Sequence, residues 1–251
     1  NGEPALIQIE TIYLDTTDFL LFNEYLGRRN FRYKIRLRRY GHAGVFEPNY
    51  LIEMKIKSLS ISSKKRFMLP AQYLDAFLKG EDLRQVVKET NQGLVGAQKT
   101  YKLIDKLIKV NHFVPILKTS YDRVSFQKKS KRVRLTVDHN IVHHKLLGKP
   151  QTETLDATIL ESKIMGATPK WHKKLVNYLS LLRQRRFSKF VTGINSLYFP
   201  ERGKYNFYDI EQPGSEEIPP RILDSYEVLK TALKLDDAFP IGSGADDDSD
   251  D

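Results

Sequence analysis

Arg32, Lys34, Arg36 and Arg38 alternate with Tyr33, Ile35 and Leu37 in NFRYKIRLRRYG, residues 30–41. Side chains of a strand point to opposite faces with period two, so the four cations share one surface and the apolar residues another. The same phase returns on three more segments. In LIEMKIK (51–57), Glu53, Lys55 and Lys57 oppose Ile52, Met54 and Ile56. In RVRLTVD (132–138), Arg132, Arg134 and Asp138 oppose Val133, Leu135 and Val137, and in ILESK (159–163) Glu161 and Lys163 share a face. A solvated face of an antiparallel sheet normally mixes in neutral polar residues; these faces are mainly Arg and Lys, punctuated by single carboxylates. Two like charges about 4 Å apart repel by roughly 4 kcal/mol at an effective dielectric of 20. A closed surface lined this way therefore needs water or a multivalent anion against it. A chain of phosphates is such an anion, and a glutamate among the cations is a hard oxygen ligand suited to Mg2+ or Mn2+.

The elements that must position these residues follow from periodicity. Strands are predicted at 6–14, 31–39, 50–57, 64–69, 115–126, 132–141 and 157–165, the fifth and sixth joined by the polar turn KKSK. Helices are predicted after a cap at Thr16 or Thr17 up to Gly27, and at 71–79, 82–90 and 99–110. A last helix begins at Thr168 and Pro169, and its stripe of Trp171, Leu175, Leu179 and Leu182 is expected to pack into the core.

The chain of 251 residues has 41 Lys and Arg against 31 Asp and Glu, a net charge of +10. Asp246, Asp247, Asp248, Asp250 and Asp251 sit in the last six residues, so the rest is more basic still. An anionic partner is implied: nucleic acid, a phosphate-rich ligand or an acidic membrane. With no cysteine, disulfides and thiolate zinc sites are excluded. No apolar run approaches the roughly 18 to 20 residues of a membrane span, and no leader pattern is visible, so the expected location is cytoplasmic. The six histidines form no HExxH or comparable ligand spacing; the adjacent His143 and His144 are expected at the surface, without a role.

Taken together, TIYLDT (11–16), YKIRLRRYG (33–41), LIEMKIK (51–57), SKKRF (63–67), SYDRVSF (120–126), RVRLTVD (132–138), ILESK (159–163) and RRFSKF (185–190) resemble, in family order, the VTC-type polyphosphate polymerase domain. That domain is a branch of the triphosphate tunnel metalloenzymes, related to the CYTH superfamily. The resemblance spans about residues 6 to 200 and implies an α+β fold, an antiparallel β-barrel tunnel of about eight strands with flanking helices. It divides the chain into a tunnel domain, 1–205, and an extension, 206–251, with a disordered acidic tail. Family members open with an earlier strand carrying a basic residue; here TIYLDT starts about ten residues in, so that strand is expected to be missing.

Carried over residue by residue, the resemblance assigns catalytic roles to Arg36, Arg38, Lys55, Arg123, Arg134 and Lys189. It assigns phosphate binding to Lys34, Lys57, Arg66, Arg132, Lys163 and Arg186, and metal binding to Glu161. Tyr121 and Ser188 match family positions beside Arg123 and Lys189, and Glu53 is expected to orient Lys55 and Lys57 rather than bind metal. The implied activity moves the γ-phosphoryl group of ATP onto inorganic polyphosphate, with Mn2+ or Mg2+ as cofactor and ATP and polyphosphate as partners. Alternatives are a triphosphatase on the same fold and a non-catalytic polyphosphate-binding module. Glu3 and Glu10 do not form the Glu-x-Glu-x-Lys of triphosphate-hydrolysing relatives, which favours the polymerase. Nucleic acid is not the expected partner, because Tyr33 lies on the face opposite the cations, where it cannot stack on bases.

Overall fold

The computed structural model describes residues 6–27, 31–58, 61–127, 133–179 and 187–202. Its nine strands are β1 (Leu6–Asp15), β2 (Phe31–His42), β3 (Val45–Phe46), β4 (Asn49–Ser58), β5 (Ile61–Pro70), β6 (Val114–Gln127), β7 (Val133–Lys145), β8 (Thr152–Leu155) and β9 (Ile159–Ile164). The helices are α1 (Leu20–Leu26), α2 (Leu74–Leu78), α3 (Arg84–Thr90), α4 (Ala97–Asn111), α5 (Lys170–Tyr178) and α6 (Lys189–Tyr198). All strands join one antiparallel sheet in the order β5-β4-β2-β1-β6-β7-β8, with β3 on β2 and β9 on β7. The α+β architecture is as expected, but the closed barrel is not: among the described residues the sheet stays open. Its far edge is divided, because β9 pairs with Val133–Asp138 and β8 with Ile141–His144 of the same strand, β7.

The alternation of β2, β4 and β5 decides which side of the sheet holds the core. Tyr33, Ile35, Leu37, Ile52, Met54, Ile56, Phe67 and Leu69 point one way and are buried against Phe77 of α2, Val87 of α3 and Tyr101, Ile104, Leu107 and Ile108 of α4. The cations of these strands point the other way. The register places Arg38 opposite Thr11 and Leu51, and Arg36 opposite Tyr13 and Glu53. Thr11 in turn faces Thr119, and Ile7 faces Arg123.

On this second face, α6 covers one end. Its Phe190, Val191, Ile194 and Leu197 pack on Tyr13, Leu117 and Phe22, a spacing of one, four and seven that fits a helical stripe. The approach is close at Gly193, where an added Cβ would lie 2.7 Å from His143 Nδ1 and 2.8 Å from Leu117 Cδ2. No helix was read here from the sequence, because FVTGINSL combines β-branched residues with a mid-helix glycine, all weak helix formers. Tertiary packing overrides that preference. The start of α1 departs in detail: Thr16 Oγ1 accepts the Leu20 N–H at 2.9 Å, while Asp15 accepts those of Thr16, Leu21 and Phe22 at 2.8, 2.8 and 2.9 Å.

Two expectations about burial are reversed. The stripe on α5 is not in the core, since Trp171 is 40% and Leu179 48% exposed; Leu182 lies outside the described residues. His143, expected at the surface, is 1% exposed. The pairing of β6 with β7 shifts between Ser120 and Asp122, and Asn140 on the partner strand takes a φ of 52°. This bulge inverts the parity of β7, so His143 joins the face of Asp138 and is sealed beneath α6, its Nδ1 2.9 Å from Thr119 Oγ1.

Burial, with Lys189 and His144 nearby, pushes the His143 imidazole down from 6.5 to about 4. A depressed folded-state pKa means that the unfolded chain takes up a proton first as pH falls, so stability is present above 6.5 and lost towards 4. The interval corresponds to about 3 kcal/mol at 1.36 kcal/mol per unit. Urea melts of wild type and His143→Gln at pH 7 and pH 4.5 isolate this contribution as their difference. The wild type should lose more stability than the variant; an equal loss would contradict a buried neutral imidazole.

Candidate phosphate-binding site

Strand register brings the predicted residues of six strands onto one face. Arg36 lies opposite Glu53 and Lys34 opposite Lys55, with Arg32 opposite Lys57. Glu53 then faces Arg66, and Lys55 faces Lys64. On the other half, Arg123 faces Asp138, while Arg134 and Thr136 of β7 face Lys163 and Glu161 of β9. Lys189 enters from the first turn of α6. Arg132 and Arg186, also predicted, lie outside the described residues.

The two halves are drawn together by adjacent residues at the start of α6. Lys34 of β2 donates to Ser188 Oγ at 3.1 Å, and Lys189 donates to Asp138 Oδ2 of β7 at 2.6 Å. In a flat sheet β2 and β7 would be three strand spacings apart, about 14 Å. Lys34 and the register row of Asp138 would differ by a further roughly 26 Å along the strands. Neighbouring residues reach both, so the sheet is strongly coiled and its cationic face wraps inward, even without closure.

Depth within this face is graded. Arg38 is 8% exposed, its Nε donating to Thr11 Oγ1 at 3.1 Å. Tyr121 is buried beside it, Asp138 is buried farther along the face, and Arg36, Lys34, Lys55, Lys57, Arg123 and Lys189 are half-buried. Arg66, Arg134 and Lys163 are exposed at the rim. Lys34 Nζ also rests 3.6 Å from the centroid of the Tyr25 ring, and Lys189 Nζ lies 4.7 Å from that of Tyr121, contacts in which the ring quadrupole stabilises the cation.

Three carboxylates sit among the cations, each in a different state. Glu53 accepts from Arg36 Nε at 2.8 Å and lies 3.4 Å from Lys64 Nζ. Burial pushes its carboxyl up, but Arg36, Arg38 and Lys64 together leave it below the usual carboxylate value. Glu53 therefore orients Arg36 and Lys64. Asp138 receives Arg123 Nε at 2.6 Å and Nη2 at 2.7 Å, besides Lys189. Its burial is likewise outweighed by these two cations, and its pKa is lowered. Glu161 is different. Its side chain is 43% exposed, 3.9 Å from Arg123 Nη2 and 3.6 Å from Lys163 Nζ.

Among the described residues no three His, Asp or Glu side chains gather as a self-sufficient metal site. Mg2+ and Mn2+ bound with phosphates need only one or two protein carboxylates, the other ligands being phosphate oxygens and water. Glu161, open to solvent next to Arg123, fits that requirement, whereas the oxygens of Glu53 and Asp138 are engaged by cations.

The family model of the VTC domain matches residues 3–198. The chain belongs to the VTC domain family. Similar to this VTC domain are vacuolar transporter chaperone complex subunit 4 of Schizosaccharomyces pombe, 23% identical over 231 residues, and subunit 4 of Trypanosoma brucei brucei, 25% identical over 224. Each alignment covers 76% of this chain and, respectively, 32% and 28% of the relative. The chain thus spans about a third of the length of the curated relatives it matches. A solved structure from Bacillus halodurans, described as an adenylate cyclase, superposes with a TM-score of 0.41 at 14% identity, covering 78% of this chain and 85% of its own.

Two members of the site in this VTC domain escaped the sequence reading. Lys64 belongs to SKKRF, and its even parity with Arg66 was the available signal. Asp138 was placed on the correct face without a role, because only the fold reveals that it collects a guanidinium from β6 and an ammonium from α6. Removing one member of a buried ionic cluster leaves the others uncompensated and costs about 3 kcal/mol or more. Asp138→Ala should therefore lower stability by about that amount in urea melts. Tripolyphosphate should recover more stability in the variant than in the wild type, since Arg123 and Lys189 then lack their carboxylate; equal recovery would show that the polyanion does not reach them.

Proposed function

We propose that this VTC domain is an ATP-dependent polyphosphate polymerase, and the observation that carries the reading is the inward-wrapped cationic face with Asp138 and Glu53 fixing its arginines. Membership of a family whose named relatives are vacuolar transporter chaperone subunits supports a polyphosphate-related role. Phosphoryl transfer requires positioning and charge neutralisation more than a covalent side-chain nucleophile. The terminal oxygen of polyphosphate attacks the γ-phosphorus of ATP; a new phosphoanhydride bond forms, the bond to the β-phosphate bridge breaks, and ADP leaves.

In this reading Arg36, Arg38, Arg123 and Arg134 grip phosphate oxygens, Arg38 and Arg123 deepest. Lys34, Lys55, Lys57, Arg66, Lys163 and Lys189 supply further charge along the path of the chain. Glu161 would hold Mn2+ or Mg2+, which when bound adds charge neutralisation at the triphosphate. Burial of Tyr121 and Asp138 keeps water away from the reacting phosphates beside Arg123. The relatives' names place them in a vacuolar assembly, and the same setting is proposed for this chain, as one part of a multi-subunit complex. A cytoplasmic face of that assembly is the matching location.

The purified chain incubated with ATP and Mn2+ should yield polymers that ladder on a polyacrylamide gel. Arg38→Ala should reduce their formation by about 100-fold or more, the typical effect of losing one fixed donor to a transition-state oxyanion; Glu161→Gln should act in the same direction. Orthophosphate as sole product would reassign the site to triphosphate hydrolysis. Bound tripolyphosphate with no turnover would reassign it to a binding module.

A further inference from the structure

α5 is built unlike every other helix described. None of its residues is buried, and its large side chains stand in solvent: Trp171 is 40% exposed, Tyr178 85% and Leu179 48%, with Met165 just before it at 74%. At about 100° per residue, Trp171 and Tyr178 fall within roughly 20° of each other, and half-buried Leu175 and exposed Leu179 continue that arc towards the inner side. Lys174 and Lys170 border the arc on one side, and Lys173 lies beyond them; all three are exposed. The inner side is fixed to the sheet, where His172 Nε2 lies 2.8 Å from Ser162 Oγ of β9.

The sequence around α5 has one sign of charge. Between Glu161 and Glu201 there is no aspartate or glutamate, while Lys163, Lys170, Lys173, Lys174 and Lys189 occur among the described residues. α4 provides the contrast: its apolar side is packed in the core, and its exposed Lys109 pairs with Asp105 at 2.8 Å. A lysine-bordered helix whose outward side is Trp, Tyr and Leu has the composition of an interfacial helix. Amphipathic rings settle at the level of lipid headgroups, and lysine stems run along apolar surface while their ammonium groups stay among anionic heads.

We propose that α5, with Met165, lies flat on an anionic lipid surface and docks the domain there. The occupant is argued from charge complementarity and from the aromatic pair. An acidic protein surface would match the lysines but leave unexplained why Trp171 and Tyr178 project together beside them. The proposal does not depend on the catalytic reading.

Trp171 is the only tryptophan in the sequence, so intrinsic emission reports this helix directly. The full chain is mixed with vesicles of phosphatidylcholine alone, or of phosphatidylcholine with phosphatidylserine, and both co-sedimentation and emission are followed. Binding and a blue shift are expected with the anionic vesicles only. Exchange of Lys170, Lys173 and Lys174 for Glu should weaken binding at least about ten-fold, through loss of the attraction each basic residue has for anionic lipid. Saturating tripolyphosphate should leave the wild-type shift intact, because it occupies the sheet face and not α5. The proposal is overturned by absence of binding, by binding without a Trp171 shift, or by a shift that tripolyphosphate removes. A shift induced by soluble polyglutamate but not by vesicles would overturn it in favour of an acidic protein partner.

Discussion

A carboxylate with almost no solvent exposure, Asp138, receives a bidentate guanidinium and an ammonium at distances of 2.6 to 2.7 Å, and the cationic face depends on it. Each buried charge is expensive to desolvate unless it is paired and hydrogen-bonded. Asp138 supplies that pairing where β6, β7 and α6 meet. Glu53 does the same for Arg36 and Lys64 where β2, β4 and β5 meet. With these two fixed anions the arginines are held in place before any ligand arrives, which is the preorganisation that phosphate recognition and transfer require. Their charge does not neutralise the face as a whole. Lys34, Lys55, Lys57 and Arg38 stand on it as well, and a polyanion is the natural complement.

Coiling of the sheet follows from the same residues. Ser188 and Lys189 are neighbours in sequence, yet they contact Lys34 on β2 and Asp138 on β7. The helix that follows them is held down by a row of apolar residues and by the absence of a side chain at Gly193, which permits contact with His143 and Leu117. Thus α6 combines two tasks: its apolar stripe closes one end of the cationic face, and its first turn ties the two halves of that face together. α2, α3 and α4 do the complementary work behind the sheet, covering the apolar side of β2, β4 and β5 so that the cations have only one direction to face.

Much of this was legible in the sequence because strand period is robust. The alternation in residues 31–38, 51–57 and 159–163 assigned each cation to a face, and the register confirms those assignments pair by pair. Parity failed where the backbone departs from regular extension: the bulge at Asn140 inverts β7, so His143 joins the face of Asp138 beneath α6, although a simple count puts it on the side of Val133, Leu135 and Val137. Helical periodicity correctly located α4 but did not say which way an apolar stripe faces, and the stripe of α5 turned outward. Long-range convergence was the least legible feature. Nothing in the spacing of Lys34, Asp138 and Ser188 announces that they meet, because that contact depends on the coiling of the whole sheet. The open edge between β8, β9 and β5 is a property of the same kind, set by how β7 shares its length between two short partners.

On the proposed reading, the inward face is completed by a chain of phosphates. Thermal melting of the chain in tripolyphosphate, against sulfate matched for ionic strength, tests it directly. A ligand at 100 times its dissociation constant adds about 2.7 kcal/mol to the folded state. The melting temperature should therefore climb steadily with tripolyphosphate by several degrees and change much less with sulfate. Identical curves in the two salts would contradict the account, since they would show that the cationic face recognises no more than ionic strength.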